Sequence, residues 1–187
     1  MSILYAAYGS NMSETQMSIR CPDSRLIGAG WLPAFKLIFD SYSSNWLGAV
    51  ADVEPTGDHA MMVPIALYDI SPRDLSRLDE FEGYPAKYNR RMMNVMLKNG
   101  QHASALVYYL MNNHKGTYGK PSDKYFKQIR SAYIRFKFAV SKLDDVVAES
   151  IRLHEQRAAL NDQTQPTTMY PLTRISDEDL QFLEDWN

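Results

Sequence analysis

The chain has 187 residues, 45 % of them hydrophobic and 22 % charged, with a formal net charge of -2. That composition describes one ordinary globular domain with room for an appendage, and its mild acidity excludes the basic footprint of a nucleic-acid binder. One cysteine, Cys21, excludes an internal disulfide framework, and no apolar run approaches the roughly 20 residues that span a bilayer.

Residues 3–8 are short, apolar and aromatic, and they end at Gly9. They predict a buried strand. The turn Tyr8-Gly9-Ser10-Asn11-Met12 follows. It places backbone N–H groups and two small polar side chains at one rim of a sheet, a corner suited to an anion or a carboxylate. Ser13 begins a short helix, with Gln16 completing a capping-box pattern and Met17 and Ile19 toward the core. Pro22 ends it. Residues 25–40 form an extended stretch broken by Gly28, Gly30 and Pro33, as at a barrel corner. Residues 41–47 read as a loop. Residues 48–53 and 62–70 are the next strands, with Pro64 arguing for an edge or a bulge.

Ser71-Pro72-Arg73-Asp74 is a helix start, combining an N-cap, a proline at the first position and an acid near the positive dipole end. Leu75, Leu78 and Phe81 share a face, and Gly83 and Pro85 stop the helix, so Glu82 lies at its C-terminus. Residues 88–97 and 102–111 form a hairpin around Asn99-Gly100. Arg90 and Arg91 are read as solubilising an edge. Residues 112–122 are loop. A helix follows from Asp123 with Tyr125, Ile129, Ala132, Ile134 and Phe136 mostly apolar, and Ser141 starts another. Residues 164–172 read as a linker, and Ser176 as the start of a last short helix with Leu180 and Leu183.

Consecutive strands without intervening long helices predict an α+β fold: a small mixed, mostly antiparallel β-barrel with flanking helices and a C-terminal helical extension. The expected domains are a barrel over 1–137 and an extension over 138–187, packed on the barrel or linked to it.

Among chemical candidates, Glu82 stands out. A carboxylate at a helix C-terminus, beside Phe81 and Tyr84, has two reasons for a raised pKa. That suits a group that takes and returns a proton near neutral pH. Asp79 and Glu80 read as surface charges. Of the twelve tyrosines, Tyr84, Tyr88, Tyr108, Tyr109, Tyr118 and Tyr125 fall in the second half of the expected barrel and suit a pocket wall with hydrogen-bonding tips, while most of the twelve read as core or rim packing. His59, His102, His114 and His154 have no metal-ligand spacing, and a zinc site is not expected. Cys21 is expected to be inert despite Arg20 beside it.

Five short motifs together resemble the γ-glutamylcyclotransferase family, including its AIG2-like branch. They are Tyr8-Gly9-Ser10-Asn11-Met12, Leu78-Asp79-Glu80-Phe81-Glu82-Gly83-Tyr84, Tyr88, Tyr108-Tyr109-Leu110-Met111 and Pro121-Ser122-x-x-Tyr125. They occur in the family's order, over roughly residues 3 to 130. The resemblance implies a small mixed barrel, a loop Tyr8, Gly9, Ser10, Asn11, Met12 that cradles the substrate, and Glu82, not Glu80, as catalytic acid/base. Tyr109 and Tyr125 match tyrosines near the substrate, and Tyr88 is counted with them. It implies a γ-glutamyl amino acid or amine as substrate, 5-oxoproline as product, and neither metal nor organic cofactor. Trp46 and its loop are candidate determinants of the leaving group. The alternative is a non-catalytic small-ligand-binding or interaction module on the same scaffold. No secretory leader is read at the start of the chain, so the expected setting is cytoplasmic, with no nucleic-acid or membrane partner. The oligomeric state stays open, a homodimer included.

Overall fold

A computed structural model describes residues 2–164. Seven strands follow in chain order: β1 (Ile3–Ala7), β2 (Arg25–Pro33), β3 (Phe35–Ser43), β4 (Gly48–Pro55), β5 (Met62–Ile70), β6 (Tyr88–Leu97) and β7 (His102–Leu110). Four helices accompany them: α1 (Glu14–Arg20), α2 (Pro72–Glu82), α3 (Asp123–Arg135) and α4 (Val140–Thr164).

Five strands close into a barrel in the order β1-β5-β2-β6-β7. All pairs are antiparallel except β1 with β7, which run parallel at Tyr5 and Leu106 and close the cylinder. Closure leaves no open edge among these strands. The remaining pair, β3 and β4, is a separate antiparallel ribbon. Its Leu37, Phe39, Val50, Ala51 and Val53 join the same buried core as the barrel. Asp52 ties ribbon to barrel: its Oδ1 accepts the Leu110 N–H at 2.8 Å, and Oδ2 pairs with Lys115 at 2.9 Å.

The expected bent stretch divides at Ala34, whose φ is 63°, into β2 and β3. Register shifts between Leu26 and Gly28. Pro64 is tolerated because pairing of β5 with β1 stops at Ala66, leaving only β2 as its neighbour. The expected loop at 41–47 is shorter, since β3 runs on to Ser43. Polar residues persist there because Asp40, fully buried, accepts the N–H groups of Gly116 and Thr117. The strand β6 is no edge: Arg90 pairs with Asp79 at 3.2 Å and lies over the Tyr84 ring at 4.5 Å.

Helix α2 forms as its sequence requires. Ser71 and Asp74 exchange side-chain-to-backbone hydrogen bonds in a capping box, and Pro72 opens the first turn. Gly83 stops it in the left-handed region at φ 66°, where a side chain would be strained, and its N–H goes back to the Asp79 and Glu80 carbonyls. Leu78 is fully buried, but Phe81 is 52 % exposed, because it carries the Arg20 guanidinium 4.7 Å above its ring. Ile19 and Ile134 are also exposed, contrary to the apolar-face reading, while Met17, Ile129 and Ala132 are buried.

The chain divides into two compact units, Met1–Gln156 and Arg157–Asn187. The first includes the start of α4, where Leu143 is fully buried in the core and the Ser150 hydroxyl accepts the Phe39 N–H at 2.9 Å. The second, within the described residues, is the end of α4. That helix starts one residue before Ser141 and continues to Thr164. The linker expected beyond Thr164 and the short helix expected at Ser176 lie outside the described residues.

Candidate active site

The loop after β1, the end of α2, the start of β6 and the start of α3 meet at one cavity of about 350 Å³. That is at the small end of ligand pockets, which run from about 300 to 1,000 Å³. Tyr8, Gly9, Ser10, Asn11, Glu82, Tyr88 and Tyr125, singled out in the sequence, all line it.

The loop is a single 3-10 turn, Ser10–Met12. Its first closing bond runs from the Met12 N–H to the Gly9 carbonyl at 3.0 Å. Gly9 has φ -103°, so backbone conformation does not demand glycine there. Space does: a Cβ on Gly9 would sit 3.1 Å from the Tyr125 hydroxyl oxygen. That hydroxyl accepts the Ala51 N–H at 3.1 Å, which leaves its own proton for an acceptor in the cavity.

Asn11 is 3 % exposed and sits between two sets of partners. Its Oδ1 accepts from Gln16 Nε2 at 2.7 Å and from Arg20 Nη1 at 3.0 Å. Arginine has only donors, so the atom facing it must be the oxygen. The Asn11 amide nitrogen is thereby turned to Tyr5 Oη at 3.0 Å and Glu82 Oε1 at 3.0 Å. Gln16 also donates to the Ser10 hydroxyl at 2.8 Å. Its side chain thus serves the loop and not the capping box; Ser13 still caps α1 by accepting the Gln16 N–H. Gln16→Ala removes one of the two donors that hold the Asn11 oxygen, along with its bonds to Ser10 and Gln128. The lost bond to Asn11, at about 0.5–1.5 kcal/mol, predicts a loss of roughly two- to tenfold in kcat/KM.

Glu82 is half-buried at the last position of α2. Burial raises its pKa above the ordinary value. Arg20, the Asn11 hydrogen bond and Lys87 each pull the other way without cancelling the effect. Lys87, also in the wall, is pushed down by its own burial. Burial raises the Tyr5, Tyr8 and Tyr88 hydroxyls well above their usual range, so they are neutral donors at physiological pH. The Tyr8 hydroxyl donates to the Tyr108 carbonyl at 2.8 Å, and Tyr88 to the Ala51 carbonyl at 3.2 Å, which fixes both rings.

Two residues named from the sequence lie elsewhere. Tyr109 is outside the cavity, its ring facing the Arg91 guanidinium at 5.4 Å. Side chains alternate along β7, so Tyr108 takes the inward place. Its parity with Leu106 and Leu110 was the available signal. Met12 is 1 % exposed beneath the loop, its carbonyl accepting from Tyr68 at 3.1 Å, and does not line this cavity. Asp79 is no plain surface charge: its Oδ1 accepts the Tyr108 hydroxyl at 2.6 Å. Tyr5, Arg20 and Lys87 are wall residues that the motifs did not mark; Trp46 lines it too, its ring 4.8 Å from that of Tyr125. Cys21 is fully buried and its thiol is pushed up to about 12, so it is inert as a nucleophile at neutral pH. Among the described residues no cluster of three or more His, Cys, Asp or Glu is placed to hold a metal ion. No helix among them is long and apolar enough to cross a membrane.

A closed mixed barrel with flanking helices, carrying one desolvated carboxylate against a tight polar loop, defines a small-molecule site of limited volume. The chain belongs to the family described as gamma-glutamyl cyclotransferase, AIG2-like, whose sequence profile matches residues 5–127. It is 30 % identical over 134 residues to the gamma-glutamylcyclotransferase of Homo sapiens, covering 68 % of each chain. It is 29 % identical over 134 residues to that of Mus musculus, again covering 68 % of each. A solved structure titled gamma-glutamyl cyclotransferase shares the fold, with a TM-score of 0.68, 21 % identity and 99 % of both chains covered.

Proposed function

We propose that this protein is a γ-glutamylcyclotransferase that cyclises the γ-glutamyl group of an amino acid or amine to 5-oxoproline, with Glu82 as the general acid/base. The observation that carries the reading is the Glu82 carboxylate, half-buried, raised in pKa and held 3.0 Å from the Asn11 amide across the cavity.

The substrate supplies both reactants: its α-amine attacks its own γ-carbonyl. The protein's task is to fold it into that geometry, a contribution that reaches effective molarities of about 10⁵–10⁸ M in well-oriented systems. Two protons leave the α-nitrogen as the ring closes, and two arrive on the departing nitrogen. One carboxylate lying between the two nitrogens carries them in turn, which is what a raised pKa favours. The loop Gly9, Ser10 and Asn11 and the Tyr125 hydroxyl face the cavity and hold the glutamyl moiety. Tyr88 forms a wall, and Tyr108 replaces Tyr109 in that role. The Tyr125 hydroxyl proton, left free where its oxygen accepts the Ala51 N–H, is the donor offered to the oxyanion. The chemistry calls for neither metal nor organic cofactor. The same reading takes 1–137 as the catalytic barrel and 138–187 as an extension that begins packed on it, and places the protein in the cytoplasm.

The test is 5-oxoproline release from a panel of γ-glutamyl amino acids and amines. Release is expected from at least one compound. Glu80 is exposed at the rim of the same cavity, and Glu80→Gln is expected to retain release within about twofold, since the reading gives its carboxylate no part in the proton transfers. Abolition of turnover by Glu80→Gln would move the acid/base role from Glu82 to Glu80. Tight binding of glutamate or 5-oxoproline by folded protein that turns over nothing would favour the non-catalytic binding module.

A further inference from the structure

The last turn of α2 carries Glu82, and it is tied down on two sides. Toward α1, Arg77 Nε donates to the Arg20 carbonyl at 2.6 Å, and the Arg20 guanidinium lies over the Phe81 ring. Toward the barrel, the tie runs through Asp79, three residues before Glu82 on the same helix. Asp79 Oδ1 accepts the Tyr108 hydroxyl of β7 at 2.6 Å, a length typical of an O–H donor on an ionised carboxylate. The same oxygen lies 3.2 Å from Arg90 Nη1 of β6, an ion pair without hydrogen-bond geometry. Only 21 % of the Asp79 side chain and 22 % of the Arg90 side chain stay accessible, so water and salt screen the pair less than an exposed one.

The Asp79 backbone works on the same turn. Its carbonyl accepts the Gly83 N–H and, at 2.8 Å, the Tyr84 N–H. Those bonds close the turn that ends α2 just past Glu82. The Tyr84 ring then packs under the Arg90 guanidinium at 4.5 Å. Side chain, carbonyl and ring form one clamp on the segment that carries Glu82. The chemistry assigned to Glu82 depends on its place, because it must reach two nitrogens in turn. A reacting group displaced by about 1 Å can lose about 10²-fold in rate.

Resting on the reading of Glu82 as general acid/base, we infer that Asp79 is a positioning residue: through Tyr108 and Arg90 it holds the last turn of α2 on the barrel and keeps the Glu82 carboxylate withdrawn beside Asn11. Asp79 takes no proton in the reaction. It acts through the place that it gives Glu82. The charged groups facing Glu82 from other elements are Arg20 of α1 and Lys87 just before β6, and Glu80 lines the same cavity from its own helix. The hydroxyls of Tyr5, Tyr8, Tyr88, Tyr108 and Tyr125 surround it. The Arg20 and Lys87 charges lie outside α2 and remain when the Asp79–Tyr108 bond is cut. A change in the Glu82 titration then reports water reaching the carboxylate.

The experiment compares Asp79→Ala, Tyr108→Phe and the double variant with wild type, on a γ-glutamyl compound that wild type turns over. Each single variant is expected to lose about ten- to a hundredfold in kcat with KM little changed, since the place of Glu82 matters in the transition state. The double variant is expected to lose no more than the worse single one, because both substitutions cut the same bond. The acid limb of the rate is expected to move down toward the ordinary glutamate value of about 4.3, as the loosened carboxylate is hydrated. Tyr108→Phe removes no charge, so its shift separates loosening from the loss of the Asp79 charge. Asp79→Asn keeps an acceptor for the Tyr108 hydroxyl. It is expected to recover part of kcat, and it serves if Asp79→Ala fails to fold. A lower urea midpoint with kcat and the acid limb unchanged would make the clamp purely structural and overturns the inference. Additive losses, or a limb that moves in Asp79→Ala alone, overturn it too. If wild type turns over nothing, the cyclotransferase reading fails separately. Carbon-13 NMR of protein labelled at the glutamate side-chain carboxyl, with Glu82 assigned through Glu82→Gln, then decides the clamp. A Glu82 titration moved to lower pH in Asp79→Ala and Tyr108→Phe supports it, and an unmoved one overturns it.

Discussion

Glu82→Gln is expected to lower turnover by about 10²–10⁴-fold, the usual contribution of a general acid/base, while leaving the fold at least as stable at neutral pH. The two halves of that result have one cause. Burial raises the pKa of Glu82 in the folded chain, so the folded state binds its proton more tightly than the unfolded state does. Its contribution therefore favours folding below the unfolded pKa and is lost as pH rises through the folded value. Above that window the ionised carboxylate opposes folding, and an amide does not. Gln keeps an oxygen for the Asn11 amide, which donates to Glu82 Oε1 at 3.0 Å. The urea midpoint of the variant should thus equal or exceed that of wild type at about pH 8, and the two should converge as pH falls toward the unfolded carboxyl value of about 4.3. The wild-type rate should fall on the acid side at a pH above the ordinary glutamate range, as Glu82 takes up its proton. Full activity in the variant would end the acid/base assignment, and a lower urea midpoint at about pH 8 would end the linkage argument.

Local chemistry was legible wherever a residue acts on its own neighbours. Ser71, Pro72 and Asp74 predict the start of α2, Gly83 its end, and Asn99-Gly100 the hairpin, because caps and tight turns are decided within a few residues. The position of Glu82 at a helix end and of Ser10 and Asn11 on a turn followed from those signals. What joins them did not. Asn11 meets Glu82 across 71 positions and Tyr125 meets Ala51 across 74, through a barrel whose β1 pairs with β5 and β7 and not with its successor. No local pattern encodes such a choice. The motif match singled out Tyr109, but 108 and 109 are both tyrosine and only strand alternation separates wall from outer face. Gln16 fitted a capping box by spacing, yet its amide is drawn to Ser10 and Asn11. Polar residues at the end of β3 looked like loop, because the backbone partners that satisfy Asp40 arrive from Gly116 and Thr117.

Gly30→Ala is expected to open the barrel, whereas Gly28→Ala, two residues away on the same strand, is not. Strands β2 and β6 are joined through only Gly30 with Leu97 and Trp31 with Met96. A Cβ on Gly30 would lie 2.2 Å from the Met96 carbonyl oxygen and 2.9 Å from the Leu97 Cα. Both are backbone atoms, so no rotamer change relieves the contact, and β6 must move away as a whole. Overpacking commonly costs about 1–3 kcal/mol. The expected loss here is at or above the top of that range, because the contact falls on a seam of only two register pairs. At Gly28 the nearest atom to a new Cβ is Leu97 Cδ2 at 3.9 Å, ordinary van der Waals contact with the end of a flexible side chain. Alanine there is expected to be neutral, or stabilising by up to about 1 kcal/mol through a less free unfolded chain. Urea midpoints of the two variants separate the cases. Equal midpoints would mean that the seam between β2 and β6 does not hold the barrel shut. A large loss confined to Gly30→Ala would mean that it does, and the site depends on it: β6 begins at Tyr88, and the segment from Glu82 to that strand carries the carboxylate to the cavity.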